Sequence, residues 1–264
     1  MKRIVLISIV VLFALTALSF TAGKSVILKL KPTQGKTHTV ITTTNTTSTM
    51  TAQGKTGTIY QNDESREVFT IKEVTNEHTI IDAQLDAHKM TATQSGRTFI
   101  YDSEHPEKTS PMIDKQQIQT INNDIKKAIT LTYNHTGQLI DGNDALSIYQ
   151  LGAAIPKLPS HELKVGSTWT SPRSHSEKYG KEYYVDMTFT VTAITKKHVD
   201  YSYIGTINSP KNEVNGTYEG TCSVDPQTGL YIKWTQKQII SLTASFEGYD
   251  IPTTIVGNTT VTVK

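Results

Sequence analysis

One cysteine, Cys222, stands in 264 residues, so no disulfide can form within the chain and stability has to come from a hydrophobic core. No charge of one sign prevails, since 26 Lys and Arg face 24 Asp and Glu, mixed along the chain. Without a basic stripe there is no electrostatic footprint for nucleic acid. Beyond residue 20 no apolar run reaches the length needed to cross a bilayer. The eight histidines follow no H-E-x-x-H spacing, and there is no G-x-S-x-G and no Gly-rich phosphate loop. Nothing in the chain names a reaction or a cofactor.

What is present starts with Met1-Lys2-Arg3 followed by the apolar run Ile4 to Phe20, the pattern of a secretory signal peptide over residues 1–23. Cleavage is expected after Gly23. No cysteine follows the apolar run to take a lipid. The remainder, residues 24–264, reads as a single β-rich domain, soluble and exported to the periplasm or the medium. The competing division has two domains joined near Ser160.

The β reading rests on alternation. Tyr218, Gly220, Cys222 and Val224 alternate with Thr217, Glu219, Thr221 and Ser223, and Leu230, Ile232 and Trp234 alternate with Tyr231, Lys233 and Thr235. Between them Asp225-Pro226-Gln227-Thr228-Gly229 has turn chemistry: a preset φ, a side-chain acceptor and a glycine for a left-handed residue. Ile81, Ala83, Leu85 and Ala87 form another half-buried strand, as do Tyr183, Val185, Met187, Phe189, Val191 and Ala193. Thr42 to Thr49 reads as strand wetted on both faces, because threonine is β-branched. Asp63 to Arg66 reads as a charged interruption between two strands.

Between about 110 and 156 the period changes to that of helix. Ser110 and Pro111 suit a helix start, and Ile118, Ile121, Ile125 and Ala128-Ile129 recur at spacings of three and four, with Asn122, Asn123, Lys126 and Lys127 opposite. A second helix is expected from Asn143 to Ile155, with Leu146, Tyr149 and Leu151 on an almost wholly apolar surface. The fold class is therefore mainly β (α+β): a strongly curled antiparallel sheet or half-barrel with two helices covering its concave face. A short echo, Leu30-Lys31…Gly35-Lys36-Thr37 against Leu163-Lys164-Val165-Gly166-Ser167-Thr168, suggests two related halves.

Candidate chemistry is sparse. Asp82 and Asp86 share a strand face, but four strand residues span about 13 Å, too far for a glycosidase pair. Asp86 with His88 could give two arms of a metal site and lacks a third. Asp102, Glu104 and His105 cluster in a loop, where function often sits, with too few ligands for calcium. Asp141-Gly142-Asn143-Asp144 has no closing Glu. Asn45, Asn134, Asn215 and Asn258 fit N-x-[ST] and read as incidental. Cys222 reads as a small buried hydrophobe.

Three pieces, Tyr101-Asp102-Ser103, Leu158-Pro159…Val165-Gly166-Ser167-Thr168-Trp169 and Asp225…Thr228-Gly229-Leu230, resemble an exported bacterial β-rich family classed as a domain of unknown function. That family repeats a P…VGDxW loop, in which Ser167 replaces the common Asp, and a D-x-x-TG hairpin. The resemblance implies no activity and no catalytic residue. The expected architecture is also similar to the half-barrel of periplasmic lipoprotein carriers, which implies an apolar ligand under helical lids. The expected function is a non-enzymatic envelope protein binding a lipid, an acyl chain or a protein partner. Ile118, Ile121, Ile125, Leu146, Tyr149 and Leu151 are the expected ligand-lining residues, and no metal or cofactor is expected. Two other readings stand beside it: a surface-interaction module with a filled core, and a hydrolase tested through Asp102, Glu104 and His105.

Overall fold

The computed structural model describes residues 24–111, 113, 115–142, 155–171, 174–178, 181–210, 213–246 and 249–264. It is mainly β. The strands are β1 (Ser25–Val26), β2 (Thr37–Ala52), β3 (Lys55–Val74), β4 (His78–Gln94), β5 (Arg97–Asp102), β6 (Ile129–Asn134) and β7 (Leu139–Asp141), then β8 (Leu163–Lys164), β9 (Thr168–Thr170), β10 (Ser174–Lys178), β11 (Lys181–Ile194), β12 (Val199–Asn208), β13 (Val214–Val224), β14 (Tyr231–Phe246) and β15 (Tyr249–Val263). Thirteen of them form one antiparallel sheet in the order β10-β11-β12-β13-β14-β15-β2-β3-β4-β6-β7, with β5 on β4 and β9 on β11. β1 pairs separately with β8. A single sheet thus runs through both parts of the chain, joined where β15 pairs with β2.

The sheet has a core face and a water face. Val40, Phe69, Ile71, Ile81, Leu131, Phe189, Val191, Tyr201, Cys222, Val224 and Val261 are buried in one cluster at one end of the strands. That end is closed by Leu28, Leu30, Leu158 and Leu163, carried on two extended straps. On the opposite face an exposed or half-exposed hydroxyl row runs across the strands from Thr190 through Ser202, Thr221, Thr235 and Thr260 to Thr43.

Three expectations about the elements are corrected. β3 runs unbroken through Asp63 to Arg66, because alternation sends Asp63 and Ser65 to one face and Glu64 and Arg66 to the other. In β14 a bulge makes Ile232 the extra residue between Tyr231, opposite Val224, and Lys233, opposite Ser223. One inserted residue flips the faces, so Tyr231 takes the core side and Ile232 is 38% exposed. The first helix is only α1 (Lys115–Asp124). Ser110 is held to β5 instead of capping it, its backbone and hydroxyl bonding the Ile100 backbone. The helix stops because Ile125 bridges Leu85, the Lys126 N–H donates to the Leu85 carbonyl, and Lys126 has φ 66°. The expected second helix, with Leu146, Tyr149 and Leu151, lies outside the described residues apart from Ile155, which is buried.

The two halves share more than the short echo. Gly35 (φ 78°) and Gly166 (φ 87°) end matching turns, closed by Lys36 N–H to Thr33 O and by Ser167 N–H to Lys164 O. Ile71 exchanges bonds with Gly35 and Lys36, and Val191 does the same with Gly166 and Ser167. His38 stacks on Phe69 with ring centroids 5.0 Å apart, and Trp169 stacks on Phe189 at 5.0 Å. Both Phe residues are followed at the same distance by a bulge and a Thr-x-x-His turn. In those turns the hydroxyl of Thr75 or Thr195 accepts the N–H of His78 or His198. The Thr-Gly turns match too: Lys31, before Pro32, donates to Thr228 O, and Leu158, before Pro159, donates to Thr136 O. Beyond each turn a bulge leaves an isoleucine, Ile140 or Ile232, exposed. Each strap therefore docks on the turn of the other half, a reciprocal arrangement like that of a twofold dimer.

Candidate ligand-binding site

The core face is where a ligand would be enclosed, and its two walls differ. Counting back along β11 from Phe189, alternate residues Met187, Val185 and Tyr183 pack against the apolar clusters. The same steps along β3 from Phe69 give Glu67, Ser65 and Asp63. Glu67 is only 4% exposed and sits beside Tyr133. Neighbouring core-face positions on β2, β15 and β14 continue the polar strip with Thr44, Thr259 and Gln236 in register, the two threonine hydroxyls 3.1 Å apart.

Asp63 accepts a 2.8 Å hydrogen bond from the Gln61 amide and lies 3.9 Å from the His88 ring. Burial raises the Asp63 carboxyl above its usual range, opposed by that hydrogen bond and by His88. Burial likewise lowers the His88 imidazole, with Asp63 opposing. Both groups are thus pushed towards their neutral forms, as expected where water is scarce. The His88 ring also lies against Tyr101, with centroids 5.8 Å apart.

Ile118 and Ile121 are half-buried on α1, and Ile125 is half-buried at the β4 contact. The helix is tied to the sheet by the Tyr101 hydroxyl donating to Asn122 Oδ1 at 2.7 Å. Asn122, expected on the water side, is exposed and makes this contact from the helix margin.

The loop residues flagged in the sequence do meet. Asp102, Glu104 and His105 line a cavity of about 210 Å³ with Glu64, Arg66, Ala87, His88 and Lys89. Asp102 is buried and its Oδ1 accepts the N–H groups of Glu104 and His105, so it shapes the loop. Arg66 closes the wall with Nε 2.6 Å from Asp86 and Nη2 2.7 Å from Glu104. Its positive charge is already balanced, and no group of three metal-ligating side chains occurs among the described residues. Asp86 is thereby committed to Arg66 while His88 turns to Asp63, so the two are not arms of one site. Asp82 accepts from Thr130 and pairs with Lys72. Cys222 is buried and its thiol is pushed up to about 12 by burial, which makes it a packing residue.

Sequence reading missed the pairing of Arg66, the Asp63–His88 contact and the bond from Tyr101 to the helix. Arg66 is placed by the bulge that leaves Asp86 unpaired between Leu85 and Ala87, and a bulge leaves no mark in composition.

No protein-family model matches the chain, and no curated protein matches it. Among solved structures it is similar to a lipovitellin studied for lipid–protein interactions, at 12% identity and TM-score 0.48, covering 88% of this chain and 25% of that one. It is also similar to an outer membrane channel from Pseudomonas putida F1, at 9% identity and TM-score 0.36, covering 88% of this chain and 96% of that one. DynF from the dynemicin biosynthesis pathway of Micromonospora chersina aligns at 9% identity and TM-score 0.23, over 90% of this chain and 85% of that one. The chain spans a quarter of the lipovitellin's length, and with every TM-score under 0.5 these likenesses carry no argument about function.

Proposed function

We propose that this chain is an exported, non-catalytic binding protein whose curled sheet holds a lipid or acyl chain, the tail against the apolar wall and the polar end against the Glu67, Ser65 and Asp63 wall. The observation that carries this reading is the contrast between those walls at matching positions. A curl supports it. The His135 and Thr228 carbonyls each accept, at 2.8 Å, from the adjacent nitrogens of Leu30 and Lys31. Those oxygens are therefore within roughly 10 Å of each other. Along the sheet their hairpins are separated by the five steps β14-β15-β2-β3-β4-β6, about 24 Å if flat. Only a bent sheet brings them together.

The water face argues for a soluble carrier over a membrane barrel, whose outward band is apolar. Here one outward row reads Glu219, Lys237, Asn258, Asn45, Asn62. Export rests on the signal-peptide pattern of residues 1–23. The absence of chemistry rests on Arg66 and Cys222 being occupied in packing and pairing.

A fluorescent fatty acid titrated onto delipidated protein tests the proposal. Saturable binding at one per chain, displaced by unlabelled fatty acid, is expected. No saturable binding would leave the filled-core interaction module, a reading favoured by the packed strap end.

A further inference from the structure

The polar wall has a composition that discriminates between head groups. In one row of the core face Gln236, Thr259, Thr44 and Asp63 lie opposite one another across β14, β15, β2 and β3, and the next row holds Gln238, Gly257, Thr46 and Gln61. A Cβ on Gly257 would meet the Gln238 amide nitrogen at 2.8 Å, so the Gln238 side chain lies across that glycine and the second row is polar from end to end. Two residues further along β14 and β15 the same face turns apolar. There Ile240 stands opposite Ile255, both packed against the cluster of Ile207, Val214 and Leu242. The apolar surface thus begins about 7 Å from the second polar row.

Charge is the other part of the pattern. On the core face of these four strands, from Trp234 to Leu242, Thr253 to Val261, Val40 to Met50 and Ile59 to Glu67, there are two acids, Asp63 and Glu67, and no Lys or Arg. The cations of the same strands go to the water face, where Lys237 pairs with Glu219 and Arg66 with Asp86 and Glu104. His88, the basic ring beside Asp63, is held towards its neutral form by burial. A carboxylate or phosphate head would enter this wall beside acids and without a counter-charge, which costs it affinity. The hydroxyl and amide groups of the two rows can both donate and accept.

Resting on the lipid-binding reading, we propose that the ligand is an acyl or alkyl chain whose head is uncharged and carries adjacent hydroxyls, a glycerol or a sugar, held by the Gln236 to Asp63 and Gln238 to Gln61 rows with the tail over Ile240 and Ile255. Thr46 is half-buried and 24% of the Asp63 side chain is open to solvent, so the head has access to both. Asp63 Oδ2 accepts from Gln61, while Oδ1, 3.9 Å from the His88 ring, is left to accept from a ligand hydroxyl.

Calorimetric titration of the delipidated protein with decyl compounds below their micelle concentrations tests this, using 1-monodecanoylglycerol, decyl glucoside, decanoate and decylamine. At neutral pH one of the two neutral compounds should bind roughly tenfold or more tighter than either charged one, and the tighter of the two names the source of the hydroxyls. Thr46→Val should weaken that compound roughly threefold and leave decanoate unchanged. Asp63→Asn keeps the shape and removes the repelling charge, so it should tighten decanoate by roughly threefold or more. A charged compound binding as tightly as the better neutral one, or decanoate unmoved by Asp63→Asn, would overturn the proposal. Saturable binding with no preference among heads would remove it and keep the lipid reading, whereas no saturable binding by any of the four would remove both.

Discussion

The first half of the chain and the second are built on one frame and finished differently. Everything they share lies at the strap end: the glycine turn, the ring stacked on a phenylalanine, the Thr-x-x-His hairpin and the docked Thr-Gly turn. What differs is the rest of the core face, apolar on β11 and polar on β3. The shared devices hold the frame, and the wall residues outside them are free to differ between the halves.

If the frame is shared, matched substitutions should cost matched amounts. Phe69→Ala and Phe189→Ala each remove a buried ring and should each cost about 3–5 kcal/mol, read as parallel shifts in chemical denaturation midpoint. A large difference between them would break the equivalence. Gly137→Ala and Gly229→Ala should come next. Their φ values are 74° and 72°, and an added Cβ would lie 1.9 Å from Pro156 O and 2.2 Å from Lys29 O. Each should cost about 2–4 kcal/mol through strain and a displaced strap. Thr75→Ala and Thr195→Ala remove the same hydroxyl acceptor and should each cost about 1 kcal/mol.

The smallest expected effect separates the halves by pH. Burial, then the charge of Lys36, hold the His38 imidazole below its usual 6.5. The folded state takes up that proton less readily than the unfolded chain, so stability is complete above the unfolded value and is lost as pH falls below 6.5 towards the folded one. His88 acts in the same direction. His38→Trp, which copies the second half's stack, should reduce the fall in Tm between about pH 7 and pH 5, leaving the part due to His88. An unchanged profile would show that His38 titrates alike folded and unfolded.

Much of the frame was legible in the sequence. Alternation gave the strands, threonine's β-branch gave β2, and Asp225 to Gly229 gave a turn in which Asp225 accepts from Gln227 and Thr228 as its chemistry suggests. The repeat was there in full, with Phe69-Thr70-Ile71 before Thr75-x-x-His78 and Phe189-Thr190-Val191 before Thr195-x-x-His198, and comparing the chain with itself would have found it. The bulges were not legible, because an extra residue costs the pattern nothing until the partner strand is known. That is why strict alternation assigns Ile232 to the dry side, where the bulge does not leave it. The polar wall was hidden for a related reason: charges alternating on both faces of β3 look like a break in the strand.

Val185→Asp puts a charge on the apolar wall, and equilibrium binding of a fluorescent fatty acid to parent and variant, under conditions where both are folded by circular dichroism, reads whether an amphipathic ligand needs the two walls to differ. Saturable binding to the parent protein is expected, with the variant weaker by at least roughly tenfold, about 1.4 kcal/mol. Equal affinity in both, or no saturable binding to the parent, would contradict it.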